Sequence, residues 1–516
     1  MSPHSALCTA CQSGFVPEVK SLIKKEKKRG RLSSFIDLEG ADGHTPLTSA
    51  VIHGNIEIAE ILVEQGGADV SKADVVNGYS PLHNACLLSH LPIVRYFLAR
   101  GANVDQAHHD GTTPLFLSSQ NGHLEVIKLL LSHGAKVNQA TNDGDTALLV
   151  SSEYGFPEVV KLLLASGATV AQADCDGYTP LYMSVQEGHP EVAKLLLAGG
   201  AKVDEVVTNQ KECFTPLLMS SQEGHLETTR LLLANGAKLE RTSALGRTPL
   251  LLSSRNGYPE VVKLLLANGA KVNHVDNKGG TPLFYSSKEG EPEVVKLLLA
   301  KGARVDQADD GGDTPLLSSS ELGHQEVVKL LLASGAKVDR TNSFGCTALL
   351  ASSKSGNHEV AKLLLAGGAT IDQAMSDGVT PLYISSKFGH QETVKLLLAK
   401  GANADQANNE GETPLSVSRK RGHKEVAKLL LAHHLKGNRA EKGEAEKEGG
   451  KPKRKVRVCE KCGKTAERMK KCSVCKLVRY CSEGCQLGDW KEHKKTCKDM
   501  GAAAAAAKKK EGGKGS

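Results

Sequence analysis

The residues best suited to chemistry are seven cysteines and one histidine in the last part of the sequence. They follow the pattern C-x2-C-x9-C-x2-C-x5-C-x3-C-x7-H-x3-C within 39 residues. The eight positions are Cys459, Cys462, Cys472, Cys475, Cys481, Cys485, His493 and Cys497. Eight thiol and imidazole groups make two sets of four, and zinc prefers tetrahedral sets of such soft ligands.

A closed set of four protein ligands leaves no open coordination position, so the pattern indicates structural zinc and not catalytic zinc. So short a segment buries little apolar surface, and metal binding must supply most of its folding energy. Disulfide pairing is the alternative for clustered cysteines. The other six of the 13 cysteines are scattered singly over the preceding sequence. Scattered cysteines are typical of a reducing cell interior, so we predict an intracellular metal site.

No other pattern in the sequence indicates catalysis. There is no phosphate loop of the Walker type and no His-Glu-x-x-His motif. A His-x-Glu pattern recurs, for example at His123 and Glu125 and at His225 and Glu227, as in nucleobase deaminases. It lacks the cysteine partners of a deaminase and recurs with a repeat, so we interpret it as part of a helix turn. We therefore predict no catalytic residue and no enzyme.

The sequence before the cysteine cluster is repetitive. The triplet Thr-Pro-Leu, or a close variant, recurs with nine of eleven intervals equal to 33 residues and the others equal to 35 and 36. The triplets begin at Thr45, Ser80, Thr113, Thr146, Thr179, Thr215, Thr248, Thr281, Thr314, Thr347, Thr380 and Thr413. A degenerate unit with a basic insert at Lys24–Arg31 is predicted near Ser5. A fixed period of this length indicates stacked units that bury their apolar faces against each other.

The local signals within one unit predict two helices. Thr113 is suited to cap the first helix, and Pro114 suits its first position, where no amide hydrogen is missed. Gly122 ends this helix, because glycine readily takes the left-handed conformation. The second helix carries Val126 and Leu130 on one face. A hairpin-like loop then leads to the next unit.

This pattern resembles the ankyrin repeat over about residues 1–435. The matching residues are Thr-Pro-Leu, the Gly-His-x-Glu-Val-Val turn, Lys-Leu-Leu-Leu-Ala and Gly-Ala. The resemblance implies a mostly α-helical ankyrin solenoid of about 12–13 repeats that binds proteins. The family favours a histidine after the triplet, found here only at His83, and an alanine pair, replaced here by serines such as Ser118 and Ser119. Serine is small enough for the helices to approach, so we expect the fold to persist.

Each unit has variable positions just before the threonine and just before the glycine turn. In ankyrin proteins these positions line the concave face. Here they hold unusual apolar residues, and rigidly held aromatic side chains are plausible anchors for a protein partner. The predicted protein-binding residues are Tyr79, Leu87, Leu88, Tyr154, Tyr178, Phe214, Phe344 and Phe388. The alternative is that some of them pack against neighbouring repeats.

The cysteine cluster resembles the MYND-type zinc finger over Val458–Lys498, with further matches at Tyr480, Gln486 and Trp490. The resemblance implies two interleaved, cross-braced structural zinc ions. One zinc takes Cys459, Cys462, Cys481 and Cys485, and the other takes Cys472, Cys475, His493 and Cys497. Several members of this family bind proline-rich PxLxP segments, which implies peptide-binding roles for Ser473, Gln486 and Trp490. The alternatives are a ring-type finger and a Trp490 that serves only the finger core.

Composition and charge divide the 516 residues further. We predict a degenerate repeat at 1–40, an ankyrin array at 41–435, a flexible basic linker at 436–457, the finger at 458–498 and a disordered tail at 499–516. Residues 436–516 carry 24 basic and 11 acidic residues, a net charge of +13. Bound zinc thiolates offset much of the finger's positive charge, so we do not expect nucleic acid as the main partner, and binding through the basic linker and tail is the alternative. No apolar stretch is long enough to cross a membrane.

These features favour a non-enzymatic adaptor, cytoplasmic or nuclear, whose repeats bind one protein and whose finger docks a second through a proline-rich peptide. Tethering raises the effective concentration of the two partners without chemistry of its own. One alternative is a nuclear transcriptional regulator that recruits a co-repressor, because Lys451–Arg457 resembles a nuclear localisation signal. Another is a scaffold that presents substrates to a modifying enzyme. The sequence does not indicate an oligomeric state.

Overall fold

The computed structural model describes residues 3–40, 43–75, 78–207 and 213–445, and four short segments at 457–458, 465–466, 470–471 and 479–480. These residues form 26 helices and four strands of two residues each. The chain divides into two compact units, residues 1–271 and residues 272–516. The predicted mostly α-helical repeat fold is confirmed.

The first unit consists of eight consecutive helix pairs in its described residues. The helices are α1 (Pro3–Gln12), α2 (Val16–Lys28), α3 (Pro46–Ile52), α4 (Ile56–Glu64), α5 (Pro81–Leu87), α6 (Leu91–Ala99), α7 (Pro114–Gln120), α8 (Leu124–Ser132), α9 (Ala147–Glu153), α10 (Pro157–Ala165), α11 (Pro180–Gln186), α12 (Pro190–Ala198), α13 (Pro216–Glu223), α14 (Leu226–Ala234), α15 (Pro249–Arg255) and α16 (Pro259–Ala267).

The described part of the second unit continues with five pairs. The helices are α17 (Pro282–Glu289), α18 (Pro292–Ala300), α19 (Pro315–Leu322), α20 (Gln325–Ala333), α21 (Ala348–Ser355), α22 (His358–Ala366), α23 (Pro381–Phe388), α24 (Gln391–Ala399), α25 (Pro414–Lys420) and α26 (Lys424–Ala445). The strands are β1 (Arg457–Val458), β2 (Thr465–Ala466), β3 (Lys470–Lys471) and β4 (Arg479–Tyr480), paired antiparallel as β1 with β2 and β3 with β4.

Capping and packing explain why each repeat forms two helices. The Oγ1 of Thr113 accepts a hydrogen bond from the backbone N–H of Phe116 at 3.2 Å, and Pro114 occupies the first turn of α7. Gly122 then turns the chain with φ of +70°, and a Cβ there would lie 2.7 Å from the Phe156 ring, so only glycine fits. The first helices of neighbouring repeats pack side by side, α7 against α9 and α19 against α21.

The histidine of each His-x-Glu pattern links its repeat to the preceding one. The His123 Nε2 lies 2.9 Å from the Leu87 carbonyl oxygen, and the His225 Nε2 lies 2.9 Å from that of Gln186. In the second unit the His390 Nε2 lies 2.8 Å from the Lys354 carbonyl oxygen. An imidazole N–H thus satisfies a carbonyl at the end of a first helix, as helix ends require. This geometry supports the helix-turn interpretation of the pattern.

The consensus histidine that this sequence keeps and the serines that replace the alanine pair are both buried, but they make different contacts. His83 is buried, its Nδ1 lies 2.7 Å from the Ser80 Oγ, and its Nε2 lies 3.2 Å from the Thr112 carbonyl oxygen. Burial lowers the pKa of His83 to about 4, so the ring is neutral at pH 7. The serines of the pairs are buried inside the helix stack: the Ser118 hydroxyl donates to the Pro114 carbonyl at 2.8 Å.

The last helix extends further than expected. We predicted a flexible linker from residue 436, whereas α26 continues to Ala445. The segment Asn438–Ala445 is rich in alanine, glutamate, lysine and arginine, which have high helix propensity, and it directly follows a helix that is already formed. The low content of large apolar residues in this segment argues against a hydrophobic core of its own, but it does not argue against a helix.

Candidate protein-binding surface

All eight predicted protein-binding residues stand at recurring positions of the triplet register, and we call the surface formed at these positions the first-helix surface. It comprises the residues one and three positions before the threonine of each triplet and four, seven and eight positions after it. Four of the eight side chains are exposed there: Phe344 is 71% exposed, Tyr154 51%, Phe388 47% and Leu88 42%. Leu88, Tyr154 and Phe388 share one register, eight positions after their capping residue. These four residues are free to contact a partner.

The prediction for Phe214 is wrong, because this side chain is only 6% exposed. Phe214 and Val207 form an isolated antiparallel bridge. The backbone N–H of Val207 donates to the carbonyl oxygen of Phe214 at 3.1 Å. The interval before this triplet is 36 residues, three longer than the usual 33. The Phe214 side chain therefore packs in the core and is not presented to solvent.

Tyr79, Leu87 and Tyr178 are half-buried. Tyr79 and Leu87 pack against a small apolar cluster that contains Phe116, and the Tyr178 ring lies 5.4 Å from the ring of Tyr182. Their packing contributes to the repeats themselves, as the alternative interpretation of these residues proposed. Each still leaves part of its side chain accessible.

The second unit contains an apolar groove across three successive repeats. It lies along α19, α21 and α23 and the loops before the last two, with a volume of about 340 Å³. We call it the repeat groove. Its apolar lining residues are Leu317, Phe344, Cys346, Leu350, Ala351, Met375, Val379 and Ile384. Leu350 and Val379 are buried in a local core, which holds the floor in place. The exposed Phe344 forms part of the wall.

Charged side chains line the rest of the repeat groove, and most of them are already engaged. The Lys354 Nζ lies 3.3 Å from the Glu321 Oε1, and the Asn342 side-chain amide donates to the Asp313 carboxylate at 2.8 Å. Burial raises the pKa of Cys346 to about 11, so its thiol stays uncharged at neutral pH. Within the described part of the chain, the half-buried Lys387 forms no ion pair.

In the first unit the same surface is acidic. Burial raises the pKa of Asp145, and the neighbouring carboxylates of Asp174, Asp143 and Asp176 raise it further. Burial also raises the pKa of Glu153, with an added contribution from Asp145. No basic side chain forms an ion pair with Asp145, Glu153 or Asp174 among the described residues. We call this region, around α9 and α11, the acidic surface.

Phe344 is the only apolar residue of the groove lining that was predicted from the sequence, and Met375, Val379 and Ile384 are among those that were missed. Val379 stands one position before Thr380, and Ile384 stands four positions after it. In the acidic surface, the residue that corresponds to Val379 is Asp145, one position before Thr146. An aliphatic residue at that variable position was the available signal. We selected mainly aromatic residues and therefore missed it.

The described residues contain no group of three or more His, Cys, Asp or Glu side chains placed to hold a metal ion. The predicted zinc ligands Cys459, Cys462, Cys472, Cys475, Cys481, Cys485, His493 and Cys497 lie outside the described residues, as do Ser473, Gln486 and Trp490. Their donor set, seven thiols and one imidazole, fits zinc chemically. None of the helices in the described ranges has both the length and the apolar content to cross a membrane.

Comparison with known families identifies both parts of the chain. The family model of ankyrin repeats in three copies matches residues 2–74, 66–141, 136–207, 202–276, 268–342 and 335–408, and the chain therefore belongs to the ankyrin repeat family. The MYND finger model matches residues 459–497 and implies zinc binding. The protein is an ankyrin repeat protein with a MYND-type zinc finger. Both modules are non-catalytic interaction modules.

Individual relatives match only parts of the chain. Protein phosphatase 1 regulatory subunit 27 of Mus musculus is 38% identical over 79 residues, which is 15% of this chain and 50% of that protein. SET domain and MYND-type zinc finger protein 6 of Schizosaccharomyces pombe is 40% identical over 48 residues, 9% of this chain and 10% of that protein. The crystal structure of the human ASB11 ankyrin repeat domain is 27% identical, with a TM-score of 0.40 over 44% of this chain and 99% of that domain.

Proposed function

We propose that the protein is a non-enzymatic adaptor, in which the ankyrin repeats bind one protein and the finger binds a second through a proline-rich segment. The observation that carries this proposal is the repeat groove, a preformed apolar depression beside the exposed Phe344. Aromatic side chains beside a well-packed, desolvated pocket are typical of the energetic centre of a protein interface. Similarity to a phosphatase regulatory subunit also favours a binding role over a catalytic one.

The finger supplies the second binding site in this proposal. Its two structural zinc ions are held by the interleaved sets inferred from the family resemblance. Zinc supplies only the cross-links that hold the small fold together. Gln486 and Trp490 are four positions apart, so in a helix both side chains share one face. An indole ring on that face suits an extended, proline-rich ligand, which loses little entropy on binding.

The single tryptophan makes the finger proposal directly testable in the full chain. Titration of the zinc-loaded protein with a PxLxP peptide should change the Trp490 fluorescence in a saturable manner. A peptide with both prolines replaced by alanine is the matched control, and Gln486→Ala should weaken binding about tenfold. A flat response from folded, zinc-loaded protein would show that the finger does not read this motif.

Zinc removal separates the two modules. A chelator should unfold the finger and abolish the peptide response, because metal binding supplies most of its folding energy. The helical circular dichroism of the repeats should change little, since the ankyrin core contains no metal ligand set among its described residues. If the helical signal collapsed together with the Trp490 response, the two modules would not be independent.

The alternative function is a nuclear regulator that recruits a co-repressor through the same finger. The basic run Lys451–Arg457 favours it. Replacing Lys453, Arg454 and Lys455 by alanine should exclude the protein from nuclei if this run is an import signal. An unchanged distribution between cytoplasm and nucleus would leave the cytoplasmic adaptor as the better account.

A further inference from the structure

We propose that the repeat groove binds an extended segment of the partner protein that combines one large aliphatic or aromatic side chain with a nearby carboxylate. The apolar side chain enters beside Phe344, Met375 and Ile384, and the carboxylate pairs with Lys387. This inference rests on the proposed adaptor function and specifies the chemistry of the partner that the repeats select.

The size and the lining of the groove determine the apolar half of the ligand. A volume of about 340 Å³ lies at the small end of the range for ligand pockets. The buried Leu350 and Val379 make the floor rigid, while Phe344 and Met375 keep part of their surface accessible. Such a site suits one or two side chains and not a folded domain surface. Methionine and phenylalanine also adapt well to irregular apolar partners.

The charges around the groove determine the polar half. Glu321 and Lys354 neutralise each other, and Asp313 is held by Asn342. Asp377 is exposed to water, and its carboxylate accepts the backbone N–H of Val379 at 3.0 Å. Lys387 differs from these groups because it is half-buried and has no ion pair within the described residues. A carboxylate on the ligand would therefore find in Lys387 the cation of the lining that no carboxylate of the described residues contacts directly.

The next repeat shows why Lys387 has no direct acidic partner. Glu412 is the acidic residue that precedes the following triplet, but it already accepts hydrogen bonds from Lys420 at 2.6 Å and from the Tyr383 hydroxyl at 2.8 Å. These hydrogen bonds lower the pKa of Glu412, with a smaller contribution from the charges of Lys420 and Lys387. Lys387 thus feels the Glu412 carboxylate at longer range without donating a bond to it, and its ammonium group can still contact a partner.

The first unit would reject the same ligand. In the acidic surface, the residue that corresponds to Lys387 in the triplet register is Glu153, and the residue that corresponds to Val379 is Asp145. A partner segment with a carboxylate would be repelled there by side chains of the same charge, and its apolar side chain would find no apolar floor to pack against. Repulsion at the wrong site and attraction at the right one together make a repeat array selective along its length.

The test is a selection of random 12-residue peptides displayed on phage against the full-length, zinc-loaded protein. We expect enriched peptides to carry Leu, Ile, Met or Phe within three residues of Asp or Glu. A synthetic peptide of the enriched sequence should bind at least tenfold more weakly to Lys387→Glu and to Phe344→Ser. Lys263→Glu, the same charge change at an exposed position of the outer helix α16, is the matched control and should bind normally.

Charge reversal completes the test. Replacing the carboxylate of the synthetic peptide by lysine should abolish binding to the unaltered protein and restore it to Lys387→Glu. Both variants change accessible side chains, and thermal unfolding by circular dichroism confirms that they fold. Absence of enriched peptides, enrichment without an acidic residue, or equal binding to all variants would overturn the groove inference. Peptides that bind but are lost on zinc chelation would place the adaptor function in the finger while still overturning the groove.

Discussion

The acidic surface of the first unit and the repeat groove of the second are built on the same repeat, yet they present opposite chemistry. At matched positions of the triplet register, Asp145 corresponds to Val379 and Glu153 corresponds to Lys387. The capping threonines Thr146 and Thr380 accept equivalent backbone hydrogen bonds, both at 3.2 Å. The scaffold positions therefore determine the fold, and a few variable positions per repeat determine what each unit can bind.

The separation between scaffold positions and variable positions follows from how the helices pack. The Thr-Pro-Leu residues and the second-helix leucines point into the stack, where Leu163 and Leu331 are both fully buried. The variable residues lie where the loop meets the first helix, and changing them alters charge without altering the core. A repeat array can thus carry different surfaces along one chain while each repeat keeps the same internal contacts.

The largest expected effect tests whether the two units share one scaffold. Leu163→Ala in the first unit and Leu331→Ala in the second stand at the same register in α10 and α20, and each should cost about 2–5 kcal/mol by removing buried methyl groups. Urea unfolding followed by circular dichroism, with hydrogen exchange to locate the loss, measures both. The partly buried Leu162→Ala serves as control and should cost less.

A large loss in one unit and none in the other would break the comparison. It would mean that matched sequence positions do not carry matched packing energy. Peptide binding to the repeat groove gives a second readout, because Leu163→Ala lies in the first unit and should leave that binding unchanged.

The second prediction concerns a feature found in the first unit, the buried His83. Its pKa in the folded protein is about 4, below the value near 6.5 of an unfolded histidine. The folded state binds the neutral His83 ring more favourably than the charged one, so this contribution to the free energy of unfolding is fully present above pH 6.5. It is lost as the pH falls towards 4, and the total loss is up to about 3 kcal/mol. His83→Leu, which copies the residue at this register in Leu149 and Leu350, should remove that loss.

Hydrogen exchange at pH 7 and pH 4.5 would localise the effect to the helices around α5. The variant His133→Gln, at an exposed position, controls for the loss of one imidazole from the chain. Equal pH dependence in wild type and His83→Leu would show that another group governs acid sensitivity. Absolute stability is a poorer readout, because the variant also loses the hydrogen bonds to Ser80 and Thr112.

The repeat fold could be predicted because its rules are local. A threonine cap, a proline in the first turn and a glycine turn act within one unit, and the 33-residue period repeats them. The binding surface was harder to predict from the sequence, because the exposure of a side chain depends on neighbouring repeats and on the length of the loop before its helix. Phe214 is buried and its backbone pairs with Val207, whereas Val379 and Ile384 form a groove only through their neighbours. The zinc ligands remain a prediction from spacing and family resemblance.

The smallest effect concerns the acidic surface itself. Asp145 is half-buried and its pKa is raised, chiefly by burial and then by the carboxylates of Asp174, Asp143 and Asp176. A raised pKa means that the folded state binds a proton more tightly than the unfolded state, so ionisation of Asp145 opposes folding at neutral pH. Asp145→Asn should therefore stabilise the first unit at pH 7 by less than about 1 kcal/mol, since solvent screens this partly exposed group.

The gain from Asp145→Asn should shrink as the pH falls through the raised pKa of Asp145 and vanish below the pKa of an unfolded aspartate, where the wild-type residue is protonated in both states. Urea midpoints at pH 7 and pH 3.5 give this difference, and Glu158→Gln on the exposed side of α10 should give no gain. A loss of stability on Asp145→Asn at pH 7 would mean that the carboxylate is favourably engaged. The acidic surface would then be part of the scaffold, and only the groove would remain as a surface free to evolve for binding.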